Sequence, residues 1–399
     1  PDHHPRNGAP LRIAVIRSDF GLLGGAEKFA YELTRRIAAH SDMEVHLIAN
    51  RWDDLPDRII AHKIPIIPFP RWLRPFSFAW FAERAVARGG YDIVHSHDRV
   101  FSFDFLTHHG LPHELWIREV RKKKPSLFDR VTAWVEKAGI QASPNAVLLP
   151  VSRFSLDGLK RCFSLPEARF RMIHPAISLD RFRSLDRSEC RRRIRREYQL
   201  QETDVVLLFV GMNFENKGLM RVLEGLSAFT GRGRAHPELK LLVVGKGDVR
   251  RYRQAAAELG VDRRTVFTGP VLPVEPIFMA SDISVLLSHL EPFGIVVLEA
   301  MAAGLPVLVS ETVGAAEILT HGEEGFILSA ENLTGKMCDA LAALMDPAVR
   351  EKMADHAIGT VQAHDWNDRT AELLAMYRER WGSRNPRGPQ HGRRPNDHG

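Results

Sequence analysis

Short apolar runs alternate with longer stretches in which apolar residues recur every three to four positions, along nearly the whole chain. The first pattern predicts buried parallel strands and the second predicts helices with one apolar face, so the chain is α/β. The alternation occurs twice. Strands are expected at residues 11–17, 44–50, 64–68, 92–97 and 146–152, then at 205–211, 239–245, 265–268, 283–289, 306–310 and 325–328. Between the sets lies the arginine-rich stretch 181–200, which places a break between two domains near residues 176–183. We expect domains at 1–178 and 179–365, a final helix at 366–381, and a disordered tail at 382–399, where Pro, Gly and charge leave too little apolar surface to bury. Two doubly wound parallel sheets facing each other would point the carboxyl ends of their strands into one shared cleft.

At one such strand end stands Glu291-Pro292-Phe293-Gly294-Ile295-Val296-Val297-Leu298-Glu299, followed by Ala300-Met301-Ala302-Ala303-Gly304-Leu305-Pro306-Val307. A helix is expected from 294 to 303, and its first N–H groups, at Gly294, Ile295 and Val296, have no partner within the helix. They sit at the positive end of its dipole and suit a diphosphate, which Gly294 lets approach closely. Glu299, about one and a half turns on, can accept hydrogen bonds from sugar hydroxyls, and Glu291 can reach the same ligand from before the turn. After the first strand, Gly24 and Gly25 open a helix whose Phe29, Leu33 and Ile37 share one apolar face. That glycine pair lets backbone amides come near a phosphate or sugar. After strand 205–211, Lys217 places a cation near a strand end. Gly245 and Val271 close two further strands and can line a base pocket. Taken singly, each has a plain structural reading: solvated glutamates, loop glycines, a helix-start lysine.

Together these motifs resemble the retaining glycosyltransferases of family 4. The resemblance rests on the Glu291-x7-Glu299 spacing, the Pro-Phe-Gly turn, the Glu-Ala-Met-Ala-x-Gly-Leu-Pro-Val continuation and the Gly24-Gly25-Ala26-Glu27 loop, and covers roughly residues 11 to 381. The short spacing around Phe214 is most similar to the lipopolysaccharide-core glucosyltransferase branch. The resemblance implies a GT-B architecture of two facing Rossmann-like domains, the last helix crossing back onto the first. It further implies a UDP-glucose donor held by the second domain, and transfer of the hexose, with retention, to a hydroxyl of a lipid-linked glycan of the lipopolysaccharide inner core over the first. By this resemblance Glu291 positions the sugar, and Lys217 with the Phe293–Val296 helix entrance stabilises the diphosphate. Glu299 holds the ribose, Gly245 leaves room for the nucleotide, and the backbone near Val271 reads the pyrimidine. His109, with His108 as the alternative, contacts the sugar from across the cleft. No metal or other cofactor is implied. The family's additional arginine is missing, since Met212 and Asn216 occupy its places, and Arg221 is a substitute one helical turn after Lys217. Other readings kept open are a mannosyl- or glucosyltransferase acting on a phospholipid or exopolysaccharide, and a nucleotide-sugar-binding protein without turnover.

Composition narrows the picture further. A chain of 399 residues, 44% hydrophobic, can bury two sizeable cores. No apolar run is long enough to span a membrane and no leader is visible. Cys162, Cys190 and Cys338 are too scattered for a disulfide framework or zinc site, which fits a reducing compartment. The formal charge of +6 is concentrated. Arg121, Lys122, Lys123 and Lys124, flanked by Trp116 and Trp134, suit an anionic membrane surface or a phosphorylated glycan, so a peripheral position on the inner face of the cytoplasmic membrane is expected. The arginine run at 191–196 lacks aromatic partners and reads as a solvated helix face, with no nucleic-acid module around it. His95, His97, His108, His109 and His113 crowd one region but lack the spacing of a metal motif.

Overall fold

The computed structural model describes residues 9–21, 24–231 and 238–384. Six parallel strands build the first sheet, in the spatial order Ile59–Lys63, Met43–Ala49, Leu11–Ile16, Ile93–Ser96, Phe105–His108, Val147–Pro150. The second sheet repeats the plan, in the order Thr265–Gly269, Leu239–Lys246, Val205–Met212, Ile283–Leu286, Val307–Ser310, Gly325–Leu328. In each, the strand that comes first in sequence lies centrally and the order reverses beside it, which is the doubly wound topology. Ile13 pairs with Val45 on one side and Ile93 on the other, and Leu207 likewise with Leu241 and Ile283.

Helices cover both faces of each sheet because the central strands are apolar on both sides. Ile13 and Val15 pack with Phe29, Leu33 and Tyr377, whereas Ala14 and Ile16 pack with Phe78 and Ile140. In the second domain Leu207 and Phe209 join one core, and Val206 and Leu208 the other. Two three-layer domains result, of GT-B architecture.

Three expectations are corrected. The strand placed at 64–68 lies instead at Ile59–Lys63, beside Met43–Ala49, because Pro65 and Pro68 have no N–H to give to a ladder. The short strand Phe105–His108 was not foreseen. The last helix runs from Trp366 to Arg384, so residues 382–384 of the expected tail are helical, while 385–399 lie outside the described residues. That helix returns to the first domain, where Tyr377 and Leu373 are fully buried, Arg378 meets Asp42 at 2.7 Å, and Arg384 pairs with Asp104. The chain crosses between domains twice, and the crossings are tied where Ile177 N–H donates to His364 O at 2.9 Å.

Candidate functional site

The carboxyl ends of both sheets open onto one cavity of about 1170 Å³. From the second domain, Lys217 and Glu291 enter it and form an ion pair with each other. Their backbones are fixed from several sides. Lys217 precedes Gly218, whose φ of 77° and close approach to Leu287 O, 1.9 Å from where a Cβ would lie, exclude a side chain. Glu291 N–H donates to Thr312 O at 3.0 Å, and Glu291 O accepts from Gly314 N–H at 2.9 Å. The Glu291 backbone is therefore pinned to the segment that follows the strand Val307–Ser310.

From the first domain His109 faces this pair. Gly110 brings it there, since a Cβ on Gly110 would lie only 3.5 Å from Pro292 Cγ of the other domain. His109 Nε2 is engaged by His97 Nδ1 at 3.1 Å, which leaves Nδ1 for a ligand, and Phe29 meets the ring edge-on at 5.2 Å. Burial, reinforced by the Arg17 cation and by neighbouring histidines, pushes His109 well below the ordinary imidazole value. His97 is shifted the same way, by burial and then by His95 and His109. His109 is therefore a neutral ring. His108, the alternative, is occupied: Nδ1 lies 2.8 Å from Gly110 O and Nε2 lies 3.3 Å from Glu136.

Glu136 is a site residue the sequence did not announce. It is buried among Arg99 at 2.8 Å, the His113 N–H at 2.7 Å and His108. Burial alone would raise this carboxyl, but Arg99 and His108 outweigh it and bring it down to about 2. Arg17 was missed as well. It lines the cavity between Asp98 at 3.2 Å and Glu27 at 2.5 Å. Only a buried cation following the first strand could have signalled it. Arg221, suggested as a substitute cation, donates to Leu287 O at 3.2 Å and does not line the cavity.

The structure brings His109, Lys217, Glu291, Trp116, Arg121, Lys123 and Lys124 to one cavity and leaves other predicted residues outside it. Glu299 lies behind the helix entrance, its carboxylate bound to Lys28 of the first domain at 2.5 Å. Ile295 packs beside Gly25, and Gly24, with φ 97°, precedes the helix Gly25–Ala39. Phe293 is buried in the core, its ring 5.7 Å from His174, so only its backbone is available to a ligand. Gly294 has φ 93° and begins the helix Ile295–Ala302, with Val296 in its first turn. A Cβ on Gly245 would fall 1.9 Å from Gly211 O, so the glycine serves strand packing whatever else it does. Val271 is half-buried beyond Gly269, Lys122 turns the chain with φ 48°, and Trp134 lies 52% exposed on the outer surface. Among the described residues, no three His, Cys, Asp or Glu side chains are grouped to hold a metal.

This geometry, with two doubly wound domains contributing opposed polar groups to one cleft, is the GT-B architecture. Two family models match in tandem, Glycosyltransferase Family 4 over residues 23–181 and Glycosyl transferases group 1 over residues 191–358, and the chain belongs to this family 4-like superfamily. It is 25% identical over 421 residues to the D-inositol 3-phosphate glycosyltransferase of Acidothermus cellulolyticus, covering 93% of this chain and 90% of the relative. Among solved structures it is similar to WaaG, a glycosyltransferase involved in lipopolysaccharide biosynthesis, with TM-score 0.78, 21% identity, and coverage of 92% of this chain and 99% of that one. It is also similar to Anabaena HepE in complex with UDP and glucose, with TM-score 0.73, 15% identity, and coverage of 92% and 100%. The structural likenesses bear on the fold.

Proposed function

We propose that this chain is a retaining, metal-independent hexosyltransferase that moves glucose from UDP-glucose to a hydroxyl of a lipid-linked glycan of the lipopolysaccharide inner core. The observation that carries the reading is the meeting of His109 from one domain with Lys217 and Glu291 from the other. The nucleotide sugar lies on the second domain, its diphosphate at the Ile295–Ala302 helix entrance and its hexose between Glu291 and His109. As the bond from C1 to the diphosphate oxygen breaks, Lys217 and the helix dipole meet the growing negative charge. The acceptor oxygen bonds to C1 on the same face, and its proton passes to the departing diphosphate. That role for the diphosphate is supported by the occupation of every carboxylate lining the cavity. Asp98 is bound by Arg17, Asp129 by Ser126 and His113, Glu136 by Arg99 and Glu291 by Lys217. Among the described residues lining the cavity, none stands free to act as base. The solved neighbour holding UDP and glucose supports the donor assignment.

The outer surface of the first domain supports a membrane-borne acceptor on the inner face of the cytoplasmic membrane. The helices Leu73–Gly89 and Leu127–Ala142 pack side by side, and the Trp134 ring stacks 6.2 Å from Phe76, one turn before Trp80. Trp80 and Trp134 are 40% and 52% exposed, and Phe69 is 81% exposed. With Arg84 lying 4.7 Å over the Trp80 ring, and Arg74 and Arg130 on the same helices, this is an aromatic and cationic face suited to anionic lipid. The test is a panel of UDP-sugars offered with a truncated lipopolysaccharide core and chelator throughout, with the new linkage read by proton NMR. An α-glucosyl product supports the reading. A β-linked product, or release from a different sugar alone, overturns its finer terms.

A further inference from the structure

The cations of the cleft fall into two sets. Those on its floor are neutralised: Arg17 by Asp98 and Glu27, Arg99 by Glu136, and Lys217 by Glu291. Arg71, Arg121, Lys123 and Lys124 also line the cavity, on the first domain's side, yet among the described residues none of them has a carboxylate within ion-pair distance. Asp129, which also lines the cavity, spends its oxygens on Ser126, at 2.9 and 2.6 Å, and on His113 at 3.1 Å.

Rings hold the two arginines in place of carboxylates. The Arg71 guanidinium lies 5.5 Å from the Phe128 ring centroid and that of Arg121 lies 5.2 Å from Trp116. His113 sits between the rings, 6.4 Å from Phe128 and 5.7 Å from Trp116. Burial lowers His113, so this middle ring is neutral and adds no cation of its own. The result is a ladder of three rings with a guanidinium at each end. A guanidinium stacked on an aromatic face keeps its planar fork of donors free, and such a fork matches the oxygens of a phosphate two at a time.

We propose that this ladder is an acceptor subsite for a phosphate ester, so that the hydroxyl to be glycosylated belongs to a molecule carrying phosphate. The proposal rests on the glycosyltransferase reading of the same cleft and names the acceptor's chemical class. A phosphomonoester on a sugar and a phosphodiester in a lipid headgroup offer the same oxygens, and the cluster would take either.

The test is calorimetric titration of the full chain saturated with UDP, so that the donor side is filled. The probes are glucose 6-phosphate and glucose as one pair, and dihexanoylphosphatidylglycerol and dihexanoylglycerol as the other. Wild type should prefer the phosphorylated member of at least one pair by tenfold or more, and the pair that shows it names the source. Arg71→Gln and Arg121→Gln together should abolish the preference while leaving the UDP affinity and the thermal midpoint unchanged. No preference in wild type, or a preference that survives both substitutions, overturns the subsite. If wild type does not bind UDP, it is the donor-site reading that fails; the same pairs titrated without UDP then decide the subsite by the same two criteria.

Discussion

Lys28 Nζ, on the first domain, lies 2.5 Å from Glu299 Oε1, on the second, and the pair is largely shielded from solvent. It joins the two helices whose entrances face each other at Gly25 and Ile295. A charge pair shared by two domains ties the second domain's side of the cleft to the first. Lys28→Glu should therefore set two carboxylates against each other and open the cleft, raising the radius of gyration in small-angle scattering. Combining it with Glu299→Lys should restore the wild-type value. An unchanged radius in Lys28→Glu would deny the coupling.

Histidine burial makes stability depend on pH. Burial holds His95 down to about 3, and holds His364, with His174 and Arg369 adding, down to about 4; His97 and His109 are also well below the ordinary value. In the unfolded chain these rings take up protons near pH 6.5. Between about pH 4 and 6.5 the unfolded state thus binds more protons, so stability is full above 6.5 and falls as pH drops, by up to about 1.4 kcal/mol per pH unit for each ring. Urea unfolding at pH 7.5 and pH 5 should show the loss, and His364→Gln should lessen it. Equal stability at both pH values would mean that the rings are not buried as described. The Glu136 carboxyl, held at about 2, adds its own loss only at pH values below the ordinary carboxylate range.

The exposed aromatic face predicts a separable membrane function. Replacing Phe69, Trp80 and Trp134 by serine should abolish co-sedimentation with phosphatidylglycerol vesicles while leaving kcat on a water-soluble acceptor within about twofold, since these side chains lie outside the cavity. Undiminished sedimentation would move the membrane contact elsewhere.

Much of this was legible in the sequence because the central strands are apolar on both faces, so the alternation of runs such as 205–211 and 239–245 declares a buried parallel sheet directly. The misplaced strand shows the limit. Residues 64–68 are apolar enough, but the ladder needs N–H groups that Pro65 and Pro68 lack, and Ile59–Lys63, half polar at the sheet's edge, carries a weak pattern. Lys217 and Glu291 were visible because each follows a strand end, Glu291 within the Glu291-x7-Glu299 spacing that resembles the family's motif. Arg71 and Glu136 were not, since their role arises from contacts with Phe128 and Arg99 that no local spacing encodes. The basic run was read as one surface, whereas the fold turns Trp116 into the cavity and Trp134 outward.

The central claim is that Lys217 and Glu291 form the transfer site, and the most direct measurement is the rate of acceptor-dependent UDP release from UDP-glucose by wild type, Lys217→Met and Glu291→Gln. Each variant should remain folded and lose at least about a hundredfold in kcat, the ~2.7 kcal/mol expected when a preorganised electrostatic contact in a dry cleft is removed. Near-wild-type rates in both variants would contradict the account and place the chemistry on other residues of the cleft.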